Sequence, residues 1–303
     1  MTDNLKKDVI QNFCVTNKID YITDMPMKQN TSFKIGGTAD FVVYPSSIEK
    51  MSLLVKYLFD NEIDYIVLGN CSNILVSDDG IKRLIIKTDK LHKISVEKTI
   101  LTCQSGVLMS KAANTALSEA LTGMEFAHGI PGSIGGGVCM NAGAYDHDLS
   151  EIVTDSIYVN KKGDIININN SQHDFNYRKS LFTQNNDYII CQTTFQLQQT
   201  DREQIQQKMF ELMQKRRNSQ PLEFPSAGSV FKRPNGCFVG KMIDECGLKG
   251  YKIGDAQISE KHSGFIINTG NASAQDVRLL IEFIKQKVYE NYNIMLETEI
   301  KII

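Results

Sequence analysis

Two stretches of the sequence have the composition of anion-binding turns. Gly69-Asn70-Cys71-Ser72-Asn73 is the first; Gly129-Ile130-Pro131-Gly132-Ser133-Ile134-Gly135-Gly136-Gly137, continuing through Asn141-Ala142-Gly143-Ala144-Tyr145, is the second, and both concentrate glycine well above its background of 21 in 303 residues. Glycine lets the chain turn sharply and lets its backbone approach a partner closely. Successive N–H groups in such turns form nests that hold a pyrophosphate without lysine. One glycine-rich loop alone is equally well read as turn punctuation. Two together, each with Asn and Ser, point to a dinucleotide.

The usual nucleotide fingerprints are missing. No G-x-G-x-x-G occurs in the second loop, and Gly236-Cys237-Phe238-Val239-Gly240-Lys241 has the wrong spacing and no following Ser or Thr for a phosphate loop. The sequence therefore disfavours both a Rossmann dehydrogenase and a P-loop enzyme. The seven cysteines, Cys14, Cys71, Cys103, Cys139, Cys191, Cys237 and Cys246, make no C-x-x-C pair and are odd in number, which fits reduced thiols better than a disulfide framework or a zinc site. No metal is expected.

Short elements must carry these loops. Ser46 with Glu49 reads as a capping box, and Ile48, Met51, Leu54, Val55 and Leu58 at helical spacing predict a helix from about Ser47 to Phe59. Tyr65 to Leu68 and Leu84 to Ile86 read as strands on either side of the first loop. A helix is expected from about Leu108 to Leu121, and antiparallel strands from about Ile152 to Leu197. Helices with apolar faces at Ile205, Met209, Leu212 and Met213, and at Val277, Leu280, Ile281, Ile284 and Val288, follow. The polar run Gln196 to Thr200 is the expected boundary, giving an N-terminal arm at 1–28, a ligand-binding domain at 29–198 and a second domain at 199–303.

Composition bounds the class. A chain of 303 residues with 42% hydrophobic and 22% charged residues is a globular protein of about two domains. The formal charge of −2 gives no excess of cations for nucleic acid or anionic lipid. Met1 to Lys7 carries charge without an apolar stretch behind it, and no apolar run nears membrane-spanning length, so a cytoplasmic protein with neither nucleic acid nor membrane as partner is expected. The oligomeric state is left open.

Seven segments taken in order resemble the UDP-N-acetylenolpyruvoylglucosamine reductase (MurB) family. They are Asn30 to Gly37, Leu68 to Val76, Gly129 to Gly136, Met140 to Tyr145, Tyr177-Arg178-Lys179-Ser180, Ser226 to Lys232 and Leu296-Glu297-Thr298-Glu299. The resemblance spans nearly the whole chain, and its compact form is similar to the shorter, type II branch. It implies an α+β fold: a two-lobed FAD-binding domain of the vanillyl-alcohol-oxidase type, then an α+β substrate-binding domain. It also implies non-covalent FAD as cofactor and NADPH as reductant, with hydride passing by way of the flavin to UDP-N-acetylglucosamine enolpyruvate to give UDP-N-acetylmuramate. Flavin contacts carried over are Gly69, Asn70, Ser72, Asn73, Ile130, Gly132, Ser133, Gly136, Asn141, Gly143 and Ala144. In the family, glycine commonly stands where this chain has Cys71.

The implied reaction leaves negative charge on the substrate carboxylate and the adjoining carbon, so it needs a fixed cation and a proton donor. Arg178 is an always-charged fork suited to a carboxylate. Ser229, in the turn between Gly228 and Val230, is the expected acid, with Glu299 rather than Glu297 organising protons. Tyr177, Lys232, Arg217 and Gln257 are candidate substrate contacts, and His128 is read as structural. Two other readings use the same residues differently: an oxidase of a sugar-like alcohol that keeps the flavin, and a nucleotide-sugar binding module without one.

Overall fold

The computed structural model describes residues 3–234 and 237–303, so Met1, Thr2, Asn235 and Gly236, the last of them the head of the rejected phosphate-loop stretch, lie outside it. The chain divides into two compact units. One comprises Met1–Asp24, Asp40–Asn70 and Lys82–Gln214; the other comprises Met25–Ala39, Cys71–Ile81 and Lys215–Ile303.

The first unit contains two sheets. Thr38–Tyr44, Leu84–Lys87 and Tyr65–Leu68 run parallel, with Val42 opposite Ile85 and Tyr65 opposite Leu84, and Asp20–Pro26 lies on the outer edge. Helix Ile48–Asp60 buries Met51, Leu54, Val55 and Leu58, the i, i+3, i+4, i+7 stripe of an amphipathic helix, against Phe41, Val43, Leu84 and Ile86. Its cap is one residue later than expected. The helix begins at Ile48, so Ser47 is the last extended residue, and Ser47 rather than Ser46 accepts the N–H of Lys50 at 3.2 Å.

The second sheet is antiparallel, in the order Ile165–Asn169, Val153–Val159, Ile189–Gln196, Ile100–Gln104, Ile94–Glu97. Helix Met109–Ser118 covers it with Met109, Ala112, Ala113 and Ala116. This helix is shorter than the predicted 108–121, because Ala120 takes a left-handed φ of 56° and Leu121–Thr122 leaves as a strand. That strand pairs with Gln198–Gln199, and Leu197 between the two sheets' edges is buried. The unit then continues into helix Arg202–Ser219, which buries Ile205, Met209 and Leu212.

His173 is sealed in this unit, its ring stacked on Phe175 and its two nitrogens 2.8 Å from the Asn169 carbonyl and 2.9 Å from Ser156 Oγ. Burial holds its pKa below the ordinary histidine value, the hydrogen bond to Asn169 offsetting only part of that. The same cause lowers His128 and His262. A histidine depressed on folding binds more protons unfolded than folded, so stability is constant above the ordinary value of about 6.5 and declines as pH falls through it. Thermal unfolding followed from pH 8 towards pH 5 should show Tm flat at first and falling below about pH 6.5, with a smaller fall in His173→Gln. A Tm insensitive to pH across that range would contradict the burial of these rings.

The second unit is built on the antiparallel sheet Ser226–Ser229, Phe265–Asn268, Ala256–Ile258, Lys252–Ile253. Helix Ala274–Tyr292 packs on it through Val277, Leu280, Ile281, Ile284 and Val288, capped by Ser273 in a capping box with Asp276. Phe33, Ile35 and Leu75 join the same core. Ile74–Leu75 pairs in parallel with Lys301–Ile302. The α+β architecture expected from the sequence is the one observed. No helix of the described residues is long and apolar enough to cross a membrane.

Candidate active site

In the first unit, the two glycine loops meet. A Cβ on Gly69 would lie 2.4 Å from Ser133 Oγ, so only glycine permits this approach. Asn70 Nδ2 donates to the Pro131 carbonyl at 2.6 Å and ties the loops together. Gly135 and Gly137 pack just as closely, on Ser105 and on Met109, whereas Gly136 between them is exposed and its missing side chain faces open space apart from Ser133 Oγ at 3.7 Å. Ser133 Oγ itself is buried with no hydrogen-bond partner among the described residues. A buried, unanswered hydroxyl is uncommon and marks a place where a polar group belongs. The close-packed glycines, the open face of Gly136 and this hydroxyl fit a bound dinucleotide. Gly69→Ala should therefore weaken FAD binding roughly tenfold or more, by forcing the loops apart; flavin fluorescence on titration would show it, and unaltered affinity would mean that the approach has no part in binding.

The segment after helix Ile134–Cys139 turns on Asn141, at φ 43°. The Asn141 side chain is used internally, donating to Asn176 O at 3.1 Å and accepting from Ser150 N at 3.0 Å. It shapes the loop by these bonds. Gly143–Ala144 forms a tight hairpin with His147–Asp148, where a Cβ on Gly143 would meet His147 O at 2.4 Å.

Arg178 projects over this loop. Asn176 and Lys179 exchange backbone hydrogen bonds of 3.0 and 3.1 Å, leaving Tyr177 and Arg178 at the tip of a two-residue turn. Arg178 adopts φ 54°, a left-handed conformation that costs a non-glycine residue about 1 kcal/mol. Its guanidinium donates to Gly143 O at 2.9 Å and to Asn141 O at 3.3 Å and lies 5.0 Å over the exposed Tyr177 ring. The expected cation is thus fixed on the expected flavin loop.

In the second unit, Ser229 ends a strand that Gly228, at φ 80°, makes irregular. Val230 N donates to Gly264 O at 2.9 Å, Glu299 N donates to Val230 O at 2.8 Å, and Phe231 bridges Thr298. The backbones of Ser229 and Glu299 are thereby brought into adjacent segments from positions seventy residues apart. Glu299 is half-buried, and Asn73 Nδ2 donates to its carbonyl at 3.3 Å. Glu297 is exposed and pairs with Lys232. Glu299, chosen over Glu297 for its setting in the motif, is the more enclosed of the two residues. Cys71, at the position where the resemblance leads one to expect glycine, adopts φ 52° and is buried, so a thiol-bearing residue takes a left-handed conformation there.

The remaining candidates are scattered. Gln257 Nε2 donates to Gly250 O at 3.0 Å inside the sheet, and Arg217 is exposed on the last turn of its helix, with no described contact to Ser229 or Glu299. His262 escaped the sequence reading. Its Nδ1 accepts the Gly264 N–H at 3.1 Å, and a Cβ on Gly264 would touch both the imidazole Cε1, at 2.9 Å, and Ser229 Oγ, at 3.6 Å. Only the pairing of Ser229 with Phe265 brings them together, which no local pattern records. None of the seven cysteines is in a disulfide, and no cluster among the described residues has the makings of a metal site.

Comparison with known proteins places these features. Residues 220–303 match the family model for the C-terminal domain of UDP-N-acetylenolpyruvoylglucosamine reductase, and residues 39–169 match that for an FAD binding domain. A UDP-N-acetylenolpyruvoylglucosamine reductase from Clostridium novyi is 44% identical over 302 residues, covering 97% of this chain and 98% of that protein. One from Clostridium tetani is 45% identical over 281 residues, covering 93% and 91%. The crystal structure of the reductase of that name from Thermus caldophilus is similar at a TM-score of 0.78 and 30% identity, over 94% of this chain and 98% of that one.

Proposed function

The chain belongs to the UDP-N-acetylenolpyruvoylglucosamine reductase family, and on that premise we propose how its residues serve the reaction. It is an FAD-dependent oxidoreductase of peptidoglycan precursor synthesis that reduces the enolpyruvyl group of UDP-N-acetylglucosamine enolpyruvate. NADPH is the reductant, and the compartment is the cytoplasm. When bound, FAD supplies the hydride chemistry between NADPH and the enol carbon.

The chain's own residues then have three tasks. The contact of Gly69 with Ser133, the open face of Gly136 and the 141–144 loop cradle the cofactor, with Ile130, Gly132, Ser72 and Asn73 completing the loops. Arg178 holds the substrate carboxylate: its guanidinium, always charged and shaped to fork onto a carboxylate, is fixed over the loop by its bonds to Gly143 O and Asn141 O. Ser229 gives the proton to the carbon next to the carboxylate, with Glu299 in the segment whose backbone bonds to the next residue, Val230. Lys232, Tyr177, Arg217 and Gln257 are assigned to the nucleotide and sugar, and residues 29–198 and 199–303 to flavin and substrate respectively. The observation that carries this reading is Arg178 fixed on the glycine loop in a strained backbone conformation, because strain at a charged residue persists where surrounding structure enforces it.

A two-step anaerobic titration tests it. The purified protein should show an oxidised-flavin spectrum, NADPH should bleach it, and the enolpyruvyl substrate should restore it. Bleaching without recovery would refute the substrate, and oxygen consumption in place of recovery would favour an oxidase.

A further inference from the structure

Beneath the first glycine loop lies a lysine with no part in the chemistry above. Lys87 ends the strand Leu84–Lys87, opposite Leu68, and is only 6% exposed. Lysine is rarely this buried unless it is engaged. Its Nζ donates to the Gly69 carbonyl at 2.6 Å and lies 3.3 Å from Asp89, whose side chain is 49% exposed. The ammonium thus lies buried directly under the loop, while the carboxylate it pairs with faces solvent.

The bond to Gly69 has a directional effect. A trans peptide is planar, with the carbonyl and the following N–H pointing opposite ways. Drawing Gly69 O towards Lys87 turns Asn70 N–H to the other side, and among the described residues no acceptor takes that N–H. The Asn70 side chain is held separately, on Pro131 O. One backbone donor is thus presented outward on a fixed peptide, with a buried cation behind it. The matching chemistry is a diphosphate approaching the loop's outer side.

We propose that Lys87 is a positioning residue for the cofactor's diphosphate: it sets the orientation of the Gly69–Asn70 peptide and supplies the field behind its outward N–H. The inference rests on the FAD-binding reading and goes beyond the loop contacts assigned above. An apolar residue of similar length would remove the bond by which Lys87 holds Gly69 O and so loosen the orientation of the peptide.

The test is the affinity of the full deflavinated chain for FAD and for riboflavin, which shares the ring but lacks phosphate, followed by flavin fluorescence. Lys87→Met should weaken FAD roughly 10- to 100-fold and leave riboflavin within about twofold. Lys87→Gln, which retains a donor for Gly69 O without the charge, should lie between wild type and Lys87→Met, and it carries the test if Lys87→Met fails to fold. Equal losses for FAD and riboflavin, or no loss for either, would overturn the proposal. Wild-type protein that binds neither would refute the flavin reading itself, a separate outcome.

Discussion

Ser229→Ala should slow transfer to the enolpyruvyl substrate by roughly 10²- to 10⁴-fold, the range lost with a general acid, while reduction of the flavin by NADPH stays near wild type. The two half-reactions separate the roles because only the second needs a proton delivered to carbon. The hydroxyl is placed for such a task by backbone alone: Gly228 makes the strand irregular, Val230 N is fixed to Gly264 O, and Ser229 Oγ makes only a long, 3.4 Å hydrogen bond to Phe231 O. A weakly held hydroxyl can turn to a substrate. Removing it leaves those backbone bonds intact, so Tm should hardly move. Stopped-flow absorbance of the flavin in each half-reaction decides the matter; equal slowing of both would assign Ser229 to cofactor binding or folding.

The second large effect is expected at Arg178. Arg178→Met should cost about 10²- to 10³-fold in the same oxidative half-reaction, the loss typical when a fixed donor to a developing anion is removed. Lysine should not restore it, since a point charge cannot fork onto Gly143 O, Asn141 O and a carboxylate together. Arg178→Gly provides the control. It removes the guanidinium but relieves the left-handed backbone, so it should fold as well as wild type while losing comparable activity. Were Arg178→Gly to lose its flavin as well as its rate, the guanidinium would be acting chiefly as a clamp on the 141–143 loop.

Much of this was legible in the residues. The stripe of Met51, Leu54, Val55 and Leu58 predicts its helix because burial follows the 3.6-residue period, and the final helix is legible from Val277 to Val288 for the same reason. The cap at Ser47 was missed by one residue, since two adjacent serines satisfy the same pattern and only the backbone chooses between them. The glycine segments were legible as turns at Gly69–Asn73 and Gly129–Ser133, but Gly135 to Gly137 lie in a short helix, Ile134–Cys139, which their composition does not predict. That Gly69 must be glycine on account of Ser133 was not legible, because the clash is between positions sixty-four residues apart. Left-handed φ at Arg178 was equally hidden: the residue type does not favour it, and the enclosing structure imposes it. His262 and Lys87 went unread for a related reason. Each acts through a backbone group supplied by another segment.

The second unit also has a consequence for how the chain is made. Phe33, Ile35 and Leu75 belong to a core whose other members run from Ala227 to Ile300, and Lys301–Ile302 closes it beside Ile74–Leu75. Well over a hundred residues separate Ile81 from Lys215, so the early pieces leave the ribosome on the order of ten seconds before their partners, at about 5–20 residues per second. During that interval their apolar side chains have no native cover, while the intervening unit already has most of its own sequence to fold with. Newly made chains should therefore engage holding chaperones through residues 25–39 and 71–81, and release from them awaits synthesis of the partner residues from Ala227 to Ile302.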